Sequence, residues 1–102
     1  MSNLIPFNAW SKERILAGKK HCTSRHKMYK DDIAVNWISP MLPWWFIKKY
    51  LWQAEGANSP EELQEVINSI YKRVVPEGEL FYVHFGNFMI LAKERGIVLK
   101  GE

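Results

Sequence analysis

Apolar positions recur along the chain with two periods, and the switches between them mark the elements. Residues 8–17 set Trp10, Ile15 and Leu16 among polar neighbours as a short helix does, and Gly18 stands where a left-handed cap belongs. Residues 20–25 (Lys-His-Cys-Thr-Ser-Arg) read as a strand, with His21, Thr23 and Arg25 on one face and Cys22 and Ser24 on the other. A polar loop over 26–32 leads to 33–38 (Ile-Ala-Val-Asn-Trp-Ile), which is β-branched and aromatic enough for a second strand. Ser39-Pro40 predicts the start of the next helix. Ser39 serves as N-cap, and Pro40 and Pro43 fall in the first turn, where a missing N–H costs little. That helix is expected to run to Trp52 or Ala54 and to end at Gly56. Its apolar residues lie nearly all round, so it is either largely buried or set against a partner.

Ser59-Pro60-Glu61-Glu62 is the clearest local signal: an N-cap serine, a proline just inside, and a glutamate placed to close a capping box. Leu63, Val66, Ile67, Ile70 and Val74 follow at helical spacing. Pro76-Glu77-Gly78 makes a turn into a strand over 80–88, expected to be buried on both faces at its start. Residues 89–102 add a short helix through Arg95-Gly96 and a last strand over 97–99. Helices and strands mix without strict βαβ alternation, so the class is α+β.

Composition narrows the setting. With 102 residues, 47% of them hydrophobic and 14% aromatic, the chain has enough for one domain with its own core, spanning 1–102. A single cysteine excludes a disulfide framework and a Cys-rich zinc site, and fits a reducing, cytoplasmic compartment. The most apolar stretch, 38–52, is broken by two prolines and two lysines and falls short of the roughly 18 residues of a membrane span. The first residues lack a signal peptide's basic and apolar regions. No phosphate-loop or dinucleotide glycine pattern is present, and no metal or cofactor is expected.

The net charge of +3 is unevenly spread. Residues 1–30 hold seven Lys/Arg against Glu13 alone, while 53–102 hold eight acids against five bases. Lysines and arginines can simply solvate a helix and a loop. Yet five positive charges from Lys19 to Lys30 with no acid among them point to an anionic partner such as nucleic acid. Lys19, Lys20, Arg25, Lys27 and Lys30 would meet phosphates. Trp37, Trp44, Trp45, Phe46, Tyr50 and Trp52 could stack bases, though core packing is the commoner use of such spacing; Trp37 and Trp44, flanking a turn, come first. The same run could do covalent chemistry if Lys20 is desolvated, since such a lysine can take the proton of Thr23 and make its oxygen a nucleophile. A strict strand would put Lys20 and Thr23 on opposite faces, so a dyad needs Lys20 at the strand's looser start. Cys22 is expected to be a buried structural thiol, and His84 a hydrogen-bonded core or cleft-wall residue.

Together these residues resemble a known family. Ile15-Leu16-Ala17-Gly18-Lys19-Lys20-His21-Cys22-Thr23-Ser24-Arg25 resembles the opening I-L-x-G-x-K-x-x-T-x-R of ASCH domains, the activating-signal-cointegrator homology group of the PUA-like superfamily. Residues 54–63 (Ala-Glu-Gly-Ala-Asn-Ser-Pro-Glu-Glu-Leu) are similar to its later E-G-(F)-x-S-x-E-E segment, and 81–85 look like its closing barrel strand. The resemblance implies a small PUA-like β-barrel with helices at its openings, and a cationic cleft that binds RNA. It also implies, as an alternative, an amidohydrolase releasing cytidine from N4-acetylcytidine or a related acylated nucleoside, with ribonuclease activity as a further one. The family's lysine falls on Lys20, its threonine on Thr23 and its glutamate on Glu55, with Glu61 or Glu62 reachable by a small gap shift; Arg25 would anchor substrate. Where members carry Gly-Asp this chain has Lys30-Asp31-Asp32, and the stretch from Arg25 to Glu55 is short, so the implied barrel is smaller or more open. A homodimer through the Trp-rich helix is a third reading.

Overall fold

The computed structural model describes residues 5–89. Asn8 starts helix α1 (Ala9–Leu16) by accepting the Ser11 N–H on its side chain at 2.8 Å. The helix closes where expected, with Gly18 at φ 76° and the Lys19 N–H reaching back to the Arg14 carbonyl at 2.9 Å. Strand β1 (Cys22–Arg25) begins two residues later than the sequence pattern suggests. The N–H groups of His21 and Cys22 both point instead at the Ala54 carbonyl, at 2.6 and 3.0 Å.

Strand β2 (Val35–Pro43) corrects the sequence reading, because it takes in the Ser39-Pro40 step expected to open a helix. The chemistry expected of an N-cap is used in the sheet. The Ser39 hydroxyl accepts the Val83 N–H at 3.0 Å and donates to the Pro40 carbonyl at 2.6 Å, where the register slips between Ile38 and Met41. Proline is tolerated there because β2 is an outer strand with a bulge. Helix α2 (Trp44–Tyr50) is therefore short. Its first N–H groups are satisfied by the turn before the last strand, Trp44 on the Glu79 carbonyl at 2.7 Å and Trp45 on Glu77 at 2.9 Å. The chain then continues in turns to Gly56.

Helix α3 (Pro60–Tyr71) starts as predicted, with the Ser59 hydroxyl accepting the Glu62 N–H at 3.0 Å. The returning carboxylate of Glu62 takes the Asn58 N–H at 2.6 Å rather than that of Ser59. Strand β3 (Leu80–Gly86) lies between the other two, antiparallel to both. Its double burial falls at Val83 and His84, both 0% exposed, whereas Leu80 at its start is exposed. Directly opposed residues share a face, so Ser24 with Val83 and Cys22 with Phe85 form one side, and Thr23 with His84 the other. The first side packs on Trp44, Ile47, Leu63 and Ile67 of α2 and α3; a second cluster holds Ile5, Ile15, Ala34 and Phe88.

The described architecture is thus α+β, three antiparallel strands with three helices, and the sheet is open among the described residues. The helix and strand expected within 89–102 lie outside those residues, save Met89. Among the described residues no helix is long and apolar enough to cross a membrane.

Candidate functional site

The turn chain after α2 lies against the start of β1, and two features result: a buried polar cluster and an open groove beside it. Lys20 is 4% exposed, and its ammonium donates to Glu55 twice, to Oε1 at 2.8 Å and to the main-chain carbonyl at 3.0 Å. The second carboxylate oxygen, Oε2, accepts the Ser24 hydroxyl at 2.6 Å. Two full charges leave water here, which the fold tolerates because each is paired and hydrogen-bonded.

Of the three residues that the family pattern assigns to chemistry, Lys20 and Glu55 meet and Thr23 does not join them. Thr23 faces the opposite side of the sheet, where its hydroxyl accepts Arg25 Nη1 at 2.6 Å. Ser24 stands in its place. Alternation carries the signal for this, since a period of two from Lys20 leads through Cys22 to Ser24 and skips Thr23. Glu62 is engaged elsewhere, with Arg14 at 3.2 Å, and Glu61 is exposed.

Arg25 is tied inward, donating also to the carbonyls of Ser24 at 2.9 Å and Pro6 at 2.7 Å. Burial lowers its pKa from the usual guanidinium value. Lys19, Lys27 and Lys30 remain exposed, Lys27 lying over the Tyr29 ring. His26 is bonded to Glu79, whose carboxyl is held at about 2, first by Arg73 and then by His26 itself. Trp37 is exposed, tilted against Phe85 at 5.3 Å. Trp44 is a core residue, 0% exposed, with its indole N–H on Gln64 Oε1 at 2.8 Å, so it presents no face to a ligand.

Cys22 is buried and its thiol is pushed up, by desolvation first and then by Glu55, which makes it unreactive. No group of metal-ligating side chains occurs among the described residues. His84 is a core residue with a fixed tautomer. Its Nε2 accepts the Tyr29 N–H at 2.9 Å, so the proton sits on Nδ1, 3.4 Å from the Thr23 carbonyl. Burial lowers its pKa, opposed by the Thr23 carbonyl.

Lowered in the fold, the His84 imidazole protonates less readily there than in the unfolded chain. The stability it contributes is therefore present above its ordinary range and lost as pH falls below about 6.5. In this window the wild type should lose stability faster with falling pH than a variant without the imidazole. Urea titrations between pH 5 and 7.5 on the wild type and His84→Gln check it; equal pH slopes in the two proteins would rule it out.

The groove has a volume of about 440 Å³ and is lined by Lys19, His21, Trp52, Gln53, Ala54, Gly56, Ala57 and Asn58. It is therefore walled by the neighbours of Lys20 and Glu55, not by that pair. Gly56 stands at φ 98°, and a side chain on it would meet Arg14 Cβ at 3.0 Å and Lys20 Cβ at 3.2 Å, so only glycine fits the turn against β1. Sequence reasoning named Trp52 only as one of six aromatics and did not single out Gln53 or Asn58, because only the docking of their turn onto β1 brings all three beside Lys19 and His21. No protein-family model, curated protein or solved structure matches this chain.

Proposed function

We propose that the protein is an ASCH-like, PUA-like module of the cytoplasm that binds RNA or a nucleotide at the groove beside β1. The observation that carries this is the groove's lining: an exposed lysine, a histidine ring, a tryptophan and two side-chain amides in one cleft. That set supplies a charge for phosphate, a face for a base, and donors and acceptors for its edge. Two carboxylates lie beside the lining: Glu55 is paired with Lys20 and enclosed, and Glu62, which accepts the Asn58 N–H at 2.6 Å, is paired with Arg14 at 3.2 Å. Lys27 and Lys30 are exposed in the segment that follows β1 and offer two further charges for phosphates.

A second reading, hydrolysis of an acylated nucleoside, is favoured by the contact of Lys20 with Glu55 at 2.8 Å across 35 positions of sequence. One experiment separates the two. A labelled single-stranded RNA is titrated with protein at several salt concentrations, and the same preparation is incubated with N4-acetylcytidine while cytidine is followed by chromatography. With Lys19, Lys27 and Lys30 on three phosphates, log K should fall against log salt with a slope of about −2. Absence of RNA binding even at low salt sinks the first reading, and release of cytidine establishes the second.

A further inference from the structure

We infer that the groove takes a single unpaired nucleotide, and so distinguishes single-stranded from duplex RNA. The inference rests on the RNA-binding reading and specifies the ligand at that same site. At about 440 Å³ the groove falls toward the small end of ligand clefts, which span roughly 300–1,000 Å³. Duplex RNA is held differently, across a broad face and by its backbone, over about 16 base pairs in one common case. A cleft this small matches one base with its sugar and phosphate.

The lining divides accordingly. Trp52 packs on the core yet is only partly buried and lines the groove, so it is the ring available there for stacking. Gln53 and Asn58 are exposed, and their amides each offer both donors and an acceptor to the edge of a base. In a duplex the Watson–Crick edge is occupied by the partner strand, so reading that edge requires an unpaired base. Lys19 and His21, just before β1, complete the lining as cation and ring donor for the phosphate. The cleft is held in shape by the Ala54 carbonyl, which takes two N–H groups from the β1 side, and by the enclosed Lys20–Glu55 pair. A preformed cleft of this kind spends little free energy on ordering when the nucleotide enters.

The test compares one RNA sequence as a labelled single strand and as a duplex, with a nucleoside 5′-monophosphate as competitor. The proteins are the wild type, Trp52→Phe, Trp52→Leu, Asn58→Ala and Lys19→Gln, each checked for folding by urea denaturation. We expect the single strand to bind at least tenfold more tightly than the duplex, and the monophosphate to displace it. Trp52→Leu should weaken binding about tenfold or more while Trp52→Phe retains most of it. Asn58→Ala should weaken the single strand selectively, and Lys19→Gln should reduce the salt slope by about 0.7. If the single strand binds but the duplex binds as well or better, or folded Trp52→Leu and Asn58→Ala bind like wild type, the inference fails and RNA binding stands. If neither RNA binds at low salt, the functional reading itself fails.

Discussion

Gly86→Ala will destabilise the protein by about 4 kcal/mol or more, lowering the melting temperature by roughly 20 °C. Gly86 closes β3 opposite Val35, the first residue of β2. A Cβ built on it lies 1.8 Å from the Ala34 carbonyl oxygen, 2.8 Å from its carbon and 3.0 Å from Val35 Cα. All three are main-chain atoms, so no side chain can swing away to make room. The approach is close because Ala34 also accepts the Asn87 N–H at 3.0 Å, which pulls the two strands together at this end. Moving Ala34 out would disturb a residue that is itself 1% exposed within the second apolar cluster. Thermal unfolding followed by circular dichroism measures the effect, and a shift of less than about 5 °C would mean that the two strands are not so closely apposed.

Gly86 also shows what a sequence withholds. A glycine inside a strand signals a close approach, but nothing in the chain says that the approaching group is a carbonyl 52 positions earlier. Signals that act within one turn were legible. Gly18 and Ser59-Pro60 mark their helix ends, because a cap needs partners only three or four residues away, whereas Asn8, which caps α1, reads from the sequence only as its first residue. Ser39-Pro40 carries the same residue types and was misread, because its hydroxyl is used by the Val83 N–H, 44 positions distant. The site divides in the same way. The resemblance to the ASCH pattern paired Lys20 with Glu55, while plain alternation along β1 placed Ser24 on their side and Thr23 on the other. The groove was illegible, since Trp52 and Asn58 become neighbours of Lys19 only when a turn with no periodicity docks on a strand.

The second large effect concerns the pair beneath that groove. Lys20→Met leaves the Glu55 carboxylate buried with only the Ser24 hydroxyl, and Glu55→Leu leaves both the Lys20 ammonium and that hydroxyl without their carboxylate. Each single change should cost about 3–5 kcal/mol, because an unpaired charge remains where water cannot reach it. The double variant should cost much less than the sum, with a coupling of about 2 kcal/mol or more, since no lone charge is left behind. Adding Ser24→Ala should recover more stability, by removing a hydroxyl whose acceptor has gone. Urea denaturation of the four variants completes the cycle, and single costs below about 1 kcal/mol would mean that water solvates the pair after all. The outcome bears on function through position. Lys20 holds the main chain of Glu55 as well as its carboxylate, and the residues on either side of Glu55 form a wall of the groove. Lys20→Met should therefore weaken RNA binding without Lys20 touching a phosphate, and its RNA salt slope should remain that of the wild type, because no phosphate contact has been removed.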